Sequence, residues 1–184
     1  NNTTCNATTG GNASIRWYQA NVTGGTVAAN VVQGQTFDPE GANTFFRFMP
    51  SLAVDRVGDM AIGYTKSNST TNPQVKYAGR LVGDPVNTLG QTEQTLINGT
   101  GSQSGNCGSS ACIRWGDYSG MALDPNGCEF WMTGEYYATT GLNARHVQIN
   151  PGQQITREEV LRMYTASNGW FLRKEDDLGS IEEG

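Results

Sequence analysis

A strand, turn and strand unit occurs twice in this chain. Ser51 opens an apolar run that ends at Asp55, a turn follows through Gly58, and a second apolar run starts at Met60. Ser119 opens the second copy, with Met121, Ala122 and Leu123 before Asp124, a turn through Gly127, and apolar residues again at Phe130 and Trp131. The clusters Asp55-Arg56-Val57-Gly58-Asp59 and Asp124-Pro125-Asn126-Gly127 interrupt both helix and strand, and between apolar runs they encode hairpins. The copies are 68 positions apart, with further strands between them. A unit repeated at that interval predicts a propeller or a similar radial array, in which each blade is a small twisted sheet.

Period-2 alternation places strands over 14–19, 26–32, 51–55, 60–65, 74–79, 94–97, 119–124 and 128–134. With 24 Gly and only 16% charged residues in 184, the composition favours short strands and polar turns over a helical bundle. The expected fold class is all-β. A net charge of −5 argues against nucleic acid and anionic lipid, which demand a clustered basic face. No apolar run reaches the roughly 18–20 residues that span a bilayer, and residues 1–4 lack the parts of a signal peptide, so an exported protein would carry this chain as a mature or shortened form.

Four cysteines, Cys5, Cys107, Cys112 and Cys128, suit one or two disulfides in an oxidising compartment, with Cys107 and Cys112 the expected pair. Sequons at Asn2, Asn6, Asn12, Asn21, Asn68 and Asn98 are what an Asn- and Thr-rich chain produces by chance, although a eukaryotic secretory route would make them glycan acceptors.

Ser51, Asp55 and Gly58, followed by a strand with an aromatic residue, resemble in loosened form the Asp-box hairpin of sialidase-like propellers. The segments Ile15-Arg16-Trp17-Tyr18, Tyr77-Ala78-Gly79-Arg80-Leu81 and Arg114-Trp115-Gly116-Asp117-Tyr118-Ser119 are similar to parts of large exported bacterial propeller proteins related to sialidases. The resemblance covers roughly residues 12–149. It implies a partial β-propeller of about two four-stranded blades, a secreted, extracellular or periplasmic location, and a glycan or protein as partner. Open blade edges would invite self-association into homo-oligomers.

From Asn150 the pattern changes. Ile155, Val160, Leu161 and Tyr164 follow helical spacing, with Thr156 as N-cap and Glu159 completing a capping box, which predicts one short C-terminal helix. The acidic stretch that follows, with Gly179-Ser180-Ile181-Glu182-Glu183-Gly184, is similar to the end of the metal-dependent amidohydrolases, but none of that family's metal-binding motifs is present. The expected organisation is therefore 1–149 as propeller-like blades and 150–184 as a helical and extended tail, joined as in a fusion of two partial genes.

Chemistry has few places to live. His146 is the only histidine, in a strand-like run, and no Gly-x-Ser-x-Gly elbow accompanies it, which excludes a Ser-His-Asp hydrolase. Glycoside hydrolysis needs two facing carboxyl groups, or a tyrosine activated by a glutamate. Asp117, Glu135 and Tyr136 are the catalytic candidates on that reading, with Tyr118 and Tyr137 nearby; Arg114, Trp115, Tyr118 and Arg80 are candidate substrate contacts, offering cations and stacking rings. The blander reading packs Trp115 and Tyr118 between blades and has Asp117 cap a turn. No cofactor is expected; Ca2+ at Asp55 with Asp59, or at Asp124 with Asn126, would have few charged ligands. Three functions compete: a glycan- or protein-binding module, a sialidase-like glycosidase acting through Asp117 and Glu135, and a chimera without evolved function.

Overall fold

The computed structural model describes residues 11–41, 43–104, 106–107, 110–111, 115–116, 119–141 and 145–149. The chain divides into two compact units, Asn1–Val147 and Gln148–Gly184. The tail from 150, with the helix expected at Thr156, lies outside the described residues, as do Cys5, Cys112, Arg114, Asp117 and Tyr118.

The described part is all-β, and its one helical element is a 3-10 turn at Thr23–Gly25. Strands β1 (Ile15–Ala20) and β2 (Val31–Phe37) form a hairpin. A four-stranded antiparallel meander follows, made of β3 (Phe46–Val54), β4 (Met60–Asn68), β5 (Thr71–Arg80) and β6 (Gln91–Asn98) in sequence order. Then come a minimal pair, β7 (Asn106–Cys107) with β8 (Ser110–Ala111), and a sheet of β9 (Gly120–Leu123), β10 (Phe130–Tyr136) and β11 (Arg145–Ile149), with β10 in the middle.

The meander is the central layer because both of its faces carry side chains that need cover. Successive residues of a strand point to opposite faces, so Met60, Ile62 and Tyr64 of β4 share one face with Ala78 of β5. That face packs on Ile15, Trp17 and Phe37 from the first hairpin in one apolar cluster. The opposite face presents Gly63, Thr65 and Val75, and it receives the third sheet. A Cβ on Gly63 would run into the Met132 side chain and sit 2.9 Å from Met121 Cε, while one on Gly134 would sit 3.2 Å from Val75. Small residues thus let two sheets approach closely. Each fully buried Ile or Val in these layers contributes roughly 1.5–3 kcal/mol of burial free energy.

Both Asp/Gly clusters form the hairpin turns that the sequence predicts, joining β3 to β4 and β9 to β10. Asp55 Oδ1 accepts the backbone N–H groups of Val57, Gly58 and Asp59, each at 2.9 Å, and Gly58 closes the turn onto the Asp55 carbonyl. Asp124 Oδ1 accepts from Asn126 at 2.9 Å, Gly127 closes onto its carbonyl, and its other oxygen accepts the Trp131 indole N–H. Gly58 and Gly127 both have positive φ, 97° and 76°, a region open to glycine without a Cβ clash. The two hairpins also touch: Arg56 N–H donates to the Gly127 carbonyl, and Met121 N–H to Ser51 Oγ.

One predicted strand is displaced. The expectation over 26–32 gives way to β2 at Val31–Phe37, and residues 26–30 are exposed loop. Alternation around Val27 could not reveal that Asn87 N–H and Leu89 N–H bind the side chains of Gln33 and Gln35, so that the loop after β5 docks on β2. The outer edge of β3 is interrupted: Met49 has φ 50°, its register with β4 shifts between Phe48 and Ser51, and Pro50 has no N–H to offer a neighbour.

Candidate functional site

The described residues place part of the predicted site together and leave part of it apart. Trp115 is buried against the central sheet. Its indole N–H donates to Thr65 Oγ1 at 3.2 Å, one ring face stacks on Tyr137 with centroids 5.2 Å apart, and Phe48 meets it edge-on at 6.4 Å. Gly116 N–H donates to Glu135 Oε2 at 2.9 Å, so Glu135, itself buried, anchors the backbone beside Trp115. Tyr137 is held neutral above the ordinary tyrosine range by burial first and by the Glu135 charge second. Strand alternation puts Tyr136 on the face of β10 opposite Glu135, so these two candidates do not form one constellation.

Arg80 lies elsewhere. Along β5 it is five residues beyond Val75, whose partner Thr65 receives Trp115, a separation of about 17 Å at 3.3 Å per residue. Arg80 is buried, donates from Nη2 to the Asp84 carbonyl at 2.9 Å, and keeps Nε without a partner. It lines a separate cleft of about 490 Å3 beside the Asp55 turn and Phe130. Cys128, on the rim of that cleft, is exposed with a free thiol. His146 falls within β11.

Among the described residues no three His, Cys, Asp or Glu side chains gather as metal ligands. The Asp55 carboxylate oxygen that the turn aims inward is engaged by three N–H groups, the hairpin role that Asp plays at such a position.

A cleft of about 440 Å3 opens where the β4–β5 turn, residues 67–73, meets Ser102, Gln103, Phe48 and an edge of Trp115. Ser67, Ser69, Thr71, Asn72 and Ser102 supply hydroxyl and amide groups around this aromatic patch. Asn68 braces the turn instead, donating to the Thr44 carbonyl and accepting from Thr70.

On the other face of the central sheet lies a charge network that the sequence reading missed. The Arg47 guanidinium, with no exposed side-chain surface, pairs with Asp38 at 3.0 Å, Glu93 at 2.9 Å and Glu40. Lys66 pairs with Glu93 at 2.5 Å and with Glu40, and lies 4.3 Å from the Phe45 ring centre. The Tyr64 hydroxyl donates to Glu93 Oε2 at 2.7 Å. Burial opposes ionisation of Glu93, but hydrogen bonds from Lys66 and Tyr64 and the charge of Arg47 outweigh it and hold its pKa below the ordinary range. Glu40 is lowered in the same way, against burial, by Lys66 and Arg47. Tyr64 is pushed far up by burial and then by Glu93. Within the network the Glu93 carboxylate is therefore engaged by Arg47, Lys66 and the Tyr64 hydroxyl together. The network clamps the β2–β3 connection, through Asp38 and Glu40, onto the central sheet and ties Glu93 of β6 to Arg47 of β3 and Lys66 of β4 within it.

Carboxylates with lowered pKa stabilise the fold above their unfolded values and stop doing so as pH falls through their folded ones. The melting temperature should accordingly drop as pH goes below about 4.3. Glu93→Gln should melt lower at neutral pH and lose less between about pH 5 and pH 3; a pH series of thermal scans on both proteins measures this, and parallel curves would disprove the assignment.

No protein-family model, curated protein or solved structure matches the chain. The class that the fold defines is an antiparallel all-β assembly of stacked small sheets.

Proposed function

We propose that this chain is an extracellular binding module, built from pieces of a sialidase-like propeller, and that it takes a glycan in the cleft beside Trp115. The observation that carries the reading is the composition of that cleft: hydroxyl and amide side chains around the ring of Phe48 and the edge of Trp115, in a volume within the roughly 300–1,000 Å3 of small-molecule sites. Sugars offer the matching chemistry, hydroxyl groups that both donate and accept, and C–H faces that rest on aromatic carbon. The stacked sheets and twin Asp turns support the propeller reading, and β6, an edge strand of the central sheet among the described residues, supports contact with further blades or with a second copy.

The test is a glycan array probed with the full chain, followed by Phe48→Ala. Phe48 is half-buried, so its removal should weaken capture of any positive glycan about tenfold, the value of one aromatic contact of up to roughly 1.5 kcal/mol. Absence of capture across neutral and acidic glycans would end the proposal, and so would capture that Phe48→Ala leaves unchanged. Release of reducing sugar by the wild-type chain, abolished in Glu135→Gln, would replace binding by hydrolysis.

A further inference from the structure

We propose that Asn21 is the attachment point of an N-linked glycan on this chain. Asn21-Val22-Thr23 is a sequon, and the fold carries it at the start of the loop between β1 and β2, where every residue from 18 to 32 is exposed. The loop is tied at its base, because Ala28 N–H donates to the Asn21 carbonyl at 2.8 Å. The two side chains that define the sequon meet there. Thr23 donates to Asn21 Oδ1 from its backbone N–H at 2.8 Å and from its hydroxyl at 2.6 Å. The amide oxygen is thereby engaged, and the amide nitrogen is the atom that takes the sugar. At Asn68 the same nitrogen donates to the Thr44 carbonyl and braces the β4–β5 turn. In the transfer, Asn21 Nδ2 forms a bond to the anomeric carbon of an oligosaccharide carried on a lipid pyrophosphate. The bond from that carbon to the phosphate oxygen breaks, the lipid pyrophosphate leaves, and one amide proton passes to a base of the transferring enzyme.

A second observation asks for cover at this place. Val22, Val27, Val31 and Val32 each leave more than half of their surface to solvent. They bracket Asn21: Val22 follows it, Val27 precedes the residue bound to its carbonyl, and Val31 lies opposite Ala20 in the hairpin register. Apolar groups gathered on a surface invite association, and a bulky, hydrated glycan rooted among them hinders it. Chance suffices to write sequons in an Asn- and Thr-rich chain; the exposed valines give this one a task. The inference uses no residue of the cleft beside Trp115 and shares with the binding reading only an extracellular location.

The full chain, directed into the secretory pathway of a eukaryotic host and recovered from both cells and medium, tests the inference. Release of N-glycans by peptide-N-glycosidase in heavy-oxygen water converts each glycosylated Asn to a labelled Asp, which peptide mass mapping locates. Asn21 should carry the label in most molecules. It should lose the label in Thr23→Val, which keeps the acceptor amide and removes the sequon hydroxyl, and retain it in Thr23→Ser. An unlabelled Asn21 in the wild-type chain would overturn the inference, and so would a label that Thr23→Val leaves in place. For the covering role, Asn21→Gln is compared with the wild-type glycoprotein, with matching circular dichroism showing that both fold. The variant should bind an apolar-surface dye about twofold more strongly and associate at lower concentration; equal dye binding and equal association would strip the glycan of that role. Capture on the glycan array reports on the Trp115 cleft and is read separately from this label.

Discussion

Replacing Arg47 by methionine should lower the melting temperature by about 10 °C. The side chain is fully buried and holds three carboxylates, Asp38, Glu40 and Glu93, of which Lys66 reaches only two. Methionine fills much of the volume but removes the charge, so the acidic groups are left crowded around a single cation. Breaking a buried ion pair from one side costs roughly 3–5 kcal/mol, because the partner stays desolvated and uncompensated. For a domain of this size each kcal/mol is worth roughly 2–4 °C. Arg47→Lys tests the geometry separately: the charge survives, but one ammonium cannot place separate N–H groups on three carboxylates as the planar fork does. It should fall between wild type and methionine. Thermal unfolding at neutral pH measures all three proteins, and a methionine variant as stable as wild type would remove the network from the list of what holds β2, β3 and β6 together.

The second large effect is expected at Trp115. Trp115→Ala takes a stacked partner from Tyr137, an edge contact from Phe48 and a donor from Thr65, and opens a cavity between the central sheet and the β9–β10 sheet. Large-to-small changes of this kind cost roughly 3–5 kcal/mol. Trp115→Phe keeps a ring and loses the indole N–H, which should cost about 1 kcal/mol. The damage should also be local. Hydrogen exchange should quicken in β9 and β10, while the cluster of Ile15, Trp17 and Phe37 beneath the opposite face keeps its protection. Uniform loss of protection in both layers would mean that Trp115 supports the whole domain rather than one sheet contact.

These two residues also mark how far the sequence could be read. Trp115 was singled out as a ring for stacking on sugar, with packing between sheets as the blander reading; one of its faces is occupied by Tyr137 and its N–H by Thr65. Glu135 was singled out as an acid and anchors the Gly116 backbone. Arg80 was singled out as a cation for substrate, yet it donates to the Asp84 carbonyl, while Arg47, which carried no such expectation, is held by three carboxylates. Lys66, Glu40 and Glu93 carried only a faint signal: Ile62, Tyr64 and Lys66 share one strand phase, so a charge sits where alternation asks for a core residue.

The hairpins were legible because everything that makes them is near at hand in the chain. An Asp whose carboxylate binds N–H groups two to four residues on, a Gly with positive φ, and alternating apolar neighbours act within a dozen positions. The pairings that give the protein its interior join residues far apart in the chain: Arg47 with Glu93 across 46 positions, and Trp115 with Thr65 across 50. Local alternation says which side chains share a face of a strand and is silent about which other sheet will cover that face. Packing chose the partners, since a buried charge or indole N–H can settle only where another layer brings its complement.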